Sequence, residues 1–310
     1  MLLKTLFVGK SCLDSILYTN GFPIEDSDVR LANRIIRGGG NVLNSAVVLS
    51  HLNNAPNTVY LLTYFSYDEN SNKCKEYLAE MNVDISLSQH LVFEEGYPET
   101  ILICPFGTTS KTTMHKSNKF PLISSSTFAQ TIAIKDFDWV HFEGRNLGYA
   151  EDRLESSPLW QMLVLAIRKP KLRVSLEFKK IRISLERSEP FLRLSVDILL
   201  IGNEFAQSFG WKNPEETVKA VASKNYISII ACYWPGIGSA CFVAKTREFF
   251  QVEQNSVTAV VDPIGDGDTF NAAFLHQIQH SNNAQKALNY ASFAAAEKIK
   301  RTDFRVPLPI

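Results

Sequence analysis

The sequence predicts an α/β fold, a three-layer α/β/α sandwich around a mostly parallel central sheet. Three observations carry that expectation. Short apolar, β-favouring runs alternate with helical patterns, the signal for parallel strands covered on both faces. Residues 260–274 read Val-Val-Asp-Pro-Ile-Gly-Asp-Gly-Asp-Thr-Phe-Asn-Ala-Ala-Phe, a β-branched run, a tight glycine turn and the start of an amphipathic helix. A second glycine-rich entry, Gly38, Gly39, Gly40 and Asn41, precedes the first long helical pattern.

In chain order, residues 4–8 form the first central strand, which stops at Gly9. Residues 20–28 are a polar turn region. Residues 29–37 alternate as a weakly contrasted strand, as expected of a sheet that meets a ligand or another subunit instead of a deep core. A helix over 42–52, a strand over 57–64 and a helix over 69–81 follow, with Val83 entering the next strand. Residues 91–93 and 100–105 read as a hairpin-like pair around Gly96 and Pro98. Further strands are expected at 138–142, 173–178, 196–201 and 228–233, and helices at 159–167 and 283–298. Residues 179–193, basic and irregular, read as a solvated surface helix and loop. In the last helix Ala291 and the alanines at 294–296 allow close approach, either to a nucleotide base or to the preceding helix.

A chain of 310 residues that is 45% hydrophobic can bury a large core. Its formal net charge of zero argues against nucleic acid or an anionic membrane surface as the main partner. No apolar run reaches the ~18 residues of a membrane span. Residues 1–9 are too short and too strand-like for a signal peptide. The five cysteines, odd in number and without a Cys-x-x-Cys pair, read as reduced residues of a cytoplasmic protein, not as a disulfide frame or zinc site.

The chemistry centres on residues 260–274. A helix N-terminus presents unpaired N–H groups and partial positive charge, so an anion can sit against it. Gly265 and Gly267 permit close backbone approach, and Asp268 places a carboxylate beside any hydroxyl offered to a phosphate there. That arrangement suits phosphoryl transfer to an alcohol, with amides holding the migrating group and Asp268 taking the proton. A Gly-x-Gly-Asp stretch can also be only a turn or cap. Asp14, beyond the first strand, can accept from a sugar diol or cap a local turn. Asn41 and Asn44, three apart, can both look out from the first helical turn toward hydroxyls; the glycines before them can equally form a hinge and Asn41 an N-cap. Residues 106–116 are superficially similar to a phosphate-binding P-loop, but Ser110 stands where a glycine should precede Lys111.

The stretch at 260–274 resembles the C-terminal signature of the ribokinase-like (PfkB) sugar kinases, and within them the ketohexokinase-like members. Further pieces run in the same order: residues 9–14 with Pro23, Glu25, Asp26 and Ser27; Arg-Gly-Gly-Gly-Asn-Val-Leu-Asn-Ser at 37–45; and His-Phe-Glu-Gly-Arg-Asn at 141–146. The resemblance implies one domain over 1–310 with a small β-sheet lid from segments at about 12–37 and 91–116. It implies an ATP-dependent kinase acting on a ketose such as fructose, with Asp268 as base and with Gly265, Asp266 and Gly267 as the anion hole. Asp14, Gly40, Asn41 and Asn44 would hold the sugar, and Lys111, Gly236 and Gly238 the nucleotide. Mg²⁺ would accompany ATP through water and phosphate oxygens, with no protein metal ligand assigned, and K⁺ would support the loop. A homodimer clasped through the lid is implied, with Asp26 reaching the partner's site. Ribose or nucleoside phosphorylation, or a degenerate sugar- or nucleotide-binding role, are the alternatives.

Four departures from the family pattern stand out. Three glycines precede Asn41 where two are usual, Lys111 replaces an arginine and loses its bidentate geometry, and Ala206 replaces the glutamate of an Asn-x-x-Glu pair that organises Mg²⁺. The fourth is in the anion loop: Asp266 stands for alanine and Pro263 for threonine. A carboxylate about 4 Å from the phosphoryl group, at an effective dielectric near 20, would repel it by roughly 4 kcal/mol, on the order of a thousandfold in rate. The side chain must turn away, bind Mg²⁺, or leave a degenerate site.

Overall fold

The computed structural model describes residues 3–116, 120–144, 156–179, 185–223, 227–254 and 260–309. Strands whose residues are apolar without alternation have no face to give to water, so they must be covered on both sides. Three such strands are β1 (Thr5–Val8), β4 (Val59–Leu62) and β9 (Ile198–Gly202). They join β7 (Trp139–Glu143), β8 (Arg173–Phe178), β10 (Ile229–Trp234), β11 (Gly238–Val243) and β12 (Glu248–Glu253) in an eight-stranded sheet of order β12-β11-β10-β9-β8-β7-β1-β4. All neighbours are parallel from β10 to β4; β11 and β12 add antiparallel to the edge.

Residues on one face of this sheet, such as Phe7, Ile198, Leu200 and Ala231, pack under α1 (Asn41–Asn53), α2 (Glu69–Glu80), α8 (Asp266–Ser281) and α9 (Ala284–Lys298). Their neighbours Leu6, Val8, Leu199, Ile201 and Ile230 pack under α3 (Ser125–Ile134), α4 (Pro158–Ile167), α6 (Asn203–Ser208) and α7 (Pro214–Ala222). Two apolar cores on one sheet are the three-layer sandwich that the alternation predicted. A second, four-stranded sheet, β3-β2-β5-β6, is built from β2 (Cys12–Thr19), β3 (Asn33–Gly39), β5 (Glu99–Pro105) and β6 (Thr112–His115).

Several expectations need correction. The strand expected over 29–37 begins only at Asn33 and runs on into the glycines; Val29 and Leu31 lie exposed outside it. Residues 91–93 do not pair with β5. Val92 bridges to Phe65, while β5 takes β2 and β6 as neighbours, because Thr112–His115 offers the longer extended edge. Val260 and Val261 form no strand: the backbone N–H of Val261 donates to the Ile299 carbonyl at 2.7 Å, at the end of α9. Residues 179–193 are not uniformly solvated. Within them α5 (Leu185–Leu192) carries Phe191 and Leu192 into the core, where burial favours each by about 2 kcal/mol, and Lys179 is half-buried in an ion pair with Asp268. Asn41 is not an N-cap, since Gly40 takes that place at φ 103.

Candidate active site

In parallel α/β sheets the carboxyl ends of the strands leave a crevice where ligands bind. Here the ends of β8, β9 and β10, the N-termini of α1 and α8, and β2, β5 and β6 of the small sheet enclose a cleft of about 490 Å³. Two glycines shape it. Gly265 has φ 82, left-handed backbone that a side chain disfavours, and a Cβ there would also overlap the Phe304 ring. Gly39 lies against Asp14, whose carboxylate occupies the space a Cβ would need.

The α8 N-terminus opens onto this cleft with Gly265 as N-cap, and among the described residues no side chain caps it, so its first amides face the cleft. Asp268, in the first turn, is 1% exposed. Its Oδ1 accepts from Lys179 Nζ at 2.8 Å and its Oδ2 from Asn44 Nδ2 at 2.7 Å. Ser45 Oγ donates to the Asp268 carbonyl at 3.1 Å, pinning α1 against α8. Burial works against the Lys179 ammonium, but Asp268, then Glu177 and Asp266, outweigh it and hold its pKa above the usual lysine value.

Asp14 is not in a turn; it sits within β2, opposite Arg37 and Thr100, and lines the cleft. Burial pushes its carboxyl up to about 6, against the Cys12 thiol hydrogen bond and the charge of Arg37, with Asp268 and Asp262 adding to the rise. Asn44 is buried in the cleft lining, and among the described residues its Oδ1 has no hydrogen-bond partner. Asp266 points at Tyr233, whose hydroxyl donates to Oδ2 at 3.3 Å; the Tyr233 ring in turn stacks on Phe270 at 5.0 Å between centroids. Of the ways to relieve the repulsion expected at Asp266, the geometry thus favours a side chain turned toward a neighbouring donor.

Of the residues expected from sequence, Asp14, Gly40, Asn41, Asn44, Lys111, Gly265, Asp266, Gly267 and Asp268 meet in this one cleft. Gly236 and Gly238 do not line it. Gly236 sits in an exposed hairpin turn with its N–H on Gln254 Oε1 at 2.8 Å, and Gly238 opens β11 where a Cβ would overlap the Val252 carbonyl; from that turn Pro235 alone reaches the cleft among the described residues. Lys111 donates to the Pro263 carbonyl at 3.3 Å. Ala291, Ala294 and Ala295 are buried in the core under α8, so helix packing accounts for them. Asp26 lies exposed, outside the cleft lining. Arg145 and Asn146 lie outside the described residues.

The pfkB family carbohydrate kinase pattern matches residues 199–310, the part of the chain that supplies β9 to α9 and the turn at Gly265. Over those residues the chain is similar to the PfkB-family carbohydrate kinases. Its relative ketohexokinase from Mus musculus is 26% identical over 315 residues, spanning 95% of this chain and 95% of that protein. Among solved structures, ribokinase from Giardia lamblia superposes with a TM-score of 0.78 at 14% identity, over 99% of this chain and 96% of that one. An E. coli ribokinase II in complex with ATP and Mg²⁺ superposes with a TM-score of 0.75 at 18% identity, over 98% and 95%. The fold is therefore ribokinase-like, as the sequence motifs implied.

Within this cleft, sequence reasoning missed Lys179 and Tyr233. Both stand at the carboxyl end of a central strand, Lys179 one residue past β8 and Tyr233 near the end of β10. That position was the available signal; the basic run around Lys179 masked it. Among the described residues no group of acidic, histidine or cysteine side chains clusters to hold a metal, all five cysteines are free thiols, and no helix is long and apolar enough to cross a membrane.

Proposed function

We propose that this protein is an ATP-dependent sugar kinase that phosphorylates a primary hydroxyl of a ketose such as fructose. The observation that carries this reading is the Asp268 carboxylate, buried beside an uncapped helix N-terminus at the floor of a polar cleft. A sugar hydroxyl oxygen attacks the γ-phosphorus of ATP and forms the new P–O bond. The bond to the β,γ-bridging oxygen breaks, ADP leaves, and the hydroxyl proton passes to Asp268. Because the transition state is loose, positioning and charge stabilisation dominate. The α8 amides at Asp266, Gly267 and Asp268 would face the phosphoryl oxygens. Lys179, whose Nζ lies 3.8 Å from where a Gly267 Cβ would stand, is placed to shift from Asp268 to those oxygens.

Asp14, Asn41 and Asn44 would hold the sugar, Asp14 as acceptor and the amides as donor–acceptor pairs. Lys111, on the segment leading into β6, would meet the nucleotide phosphates. Asn203 and Glu204 line the cleft with oxygen donors that fit a hydrated Mg²⁺ held mainly through water. When bound with ATP, that ion would neutralise charge on the phosphate oxygens. The small sheet would act as the lid. Its neighbourhood exposes Ile24, Val29, Leu31, Ile36 and Met114, which supports a homodimer through this sheet; light scattering showing a monomer would remove it.

A coupled ADP-release screen over fructose, ribose, other sugars and nucleosides tests the reading. Fructose as the preferred acceptor is the expected result. A preference for ribose or a nucleoside overturns the ketose assignment, and ADP release that persists undiminished in Asp268→Asn overturns the assigned base.

A further inference from the structure

Behind the turn, outside the cleft lining, lies a sealed charge cluster that the chemistry above does not use. Asp262 and Lys298 are both 0% exposed and Arg37 is 5% exposed. Asp262 Oδ1 accepts the Ile264 backbone N–H at 3.0 Å, which fixes the turn leading to Gly265. Its Oδ2 takes Lys298 Nζ at 3.0 Å and Arg37 Nη2 at 3.1 Å. Lys298 also donates to the Arg301 carbonyl at 3.1 Å, and Arg37 to the Thr302 carbonyl. The Phe304 ring lies under both cations, 4.5 Å from the Arg37 guanidinium and 5.2 Å from Lys298 Nζ, and abuts Gly265.

We propose that Lys298, with Arg37, is the phosphoryl-binding turn's own fixed cation, a positioning pair that does the work otherwise expected of a free K⁺. Both carboxylate oxygens of Asp262 are already engaged, so a further cation behind the turn would meet two positive charges and no unused carboxylate oxygen of Asp262. The residues present therefore do not fit a free monovalent ion at that carboxylate. Two cations on one carboxylate leave an excess positive charge close behind the anion-binding turn, and buried charge left uncompensated is costly. Besides Asp14, which lies opposite Arg37 and feels its charge, two anions can offset it: the Asp266 carboxylate, whose charge reaches Lys298, and the phosphoryl group that the proposed function brings to the turn. This gives Asp266 a place in the family pattern's alanine position, because the excess cation behind the loop counters its repulsion. Burial lowers the Lys298 pKa to about 8 against the pull of Asp262, so the ammonium form is retained at neutral pH.

The inference rests on the kinase reading, and the experiment separates the two. Purified full-length protein is assayed for sugar-dependent ADP release in Na⁺, K⁺, NH₄⁺ and tetramethylammonium buffers, with ATP binding measured by calorimetry in each. Wild-type turnover is expected to vary less than about twofold among the four. Lys298→Met is expected to weaken ATP binding about tenfold and to lower kcat about a hundredfold in tetramethylammonium, with at least tenfold recovery in NH₄⁺ or K⁺ and little change in the sugar KM. A wild-type enzyme that is silent without K⁺ overturns the inference, and this measurement stands even if Lys298→Met does not fold. A folded Lys298→Met with wild-type kinetics overturns it too. Absence of ADP release from wild type in every buffer sinks the kinase reading, while ATP affinity that falls in Lys298→Met and recovers with NH₄⁺ would still uphold the role of the cation.

Discussion

Asp262 and Asp268 bracket one turn, each accepts a lysine ammonium at about 3 Å, and their surroundings are opposite. Both carboxylate oxygens of Asp262 are bound by protein donors, and both its cationic partners are buried. Asp268 shares its carboxylate with Asn44 and with Lys179, whose side chain is 28% exposed and lines the cleft. The contrast separates what a buried acid can do. Sealed by cations, it fixes a backbone; left beside a cleft and a movable lysine, it can exchange a proton with something that enters.

Substitution should break this contrast in opposite directions. Asp268→Asn is expected to cut turnover by about 10²–10⁴-fold with little change in thermal unfolding, because Lys179 can turn to water; steady-state kinetics beside a melting curve checks both. Lys179→Met is expected to lower kcat about a hundredfold, with a smaller effect on the sugar KM, since the lost charge acts on the phosphoryl group. Asp262→Asn should do the reverse of Asp268→Asn. Removing the carboxylate strands two buried cations and is expected to cost about 3–5 kcal/mol in denaturant unfolding.

The pH dependence of Asp14 sharpens the comparison with a third acid. Its folded pKa of about 6 lies above the ordinary aspartate value, so the folded protein takes up a proton between pH ~4 and 6, and this group's contribution to stability falls as pH rises through that window, by about 3 kcal/mol at most. His141 and His276, lowered by burial to about 3 and about 4, act the other way, costing stability as pH falls below ~6.5. Unfolding curves therefore mix opposing effects. The sugar KM is cleaner: it should rise about tenfold per unit below pH 6 as Asp14 loses its acceptor charge, and Asp14→Asn should flatten that rise. The smallest effect is expected at Asp266. With the carboxylate held by Tyr233, Asp266→Ala should raise turnover only a few-fold, and a fall instead would assign the side chain to Mg²⁺.

Much of the site was legible because local chemistry forces it into sequence. Gly265 must adopt positive φ, the turn must release amides, and Asp268 must follow it, so all three are fixed within a few residues. The Gly39–Asp14 fit was not legible, although it gives one of the three consecutive glycines before Asn41 a reason: the carboxylate of a distant strand fills the missing Cβ. Lys179 was hidden by its basic neighbours, and Gly236 and Gly238 were misplaced because turn glycines look alike whether they serve a ligand or a hairpin.

The sequence by itself determined most of the parallel central strands, the two-sided burial of their sheet and the glycine turn with its acid, since periodicity and backbone freedom are local properties; β2, β6, β11 and β12 became visible only in the fold. Only the tertiary structure decided which charges meet. Arg37, Asp262 and Lys298 come from β3, a loop and the end of α9, and Asp268 finds Lys179 across the sheet. Ion pairing depends on distance through space and on exclusion of water, and neither is written in the spacing of residues along a chain.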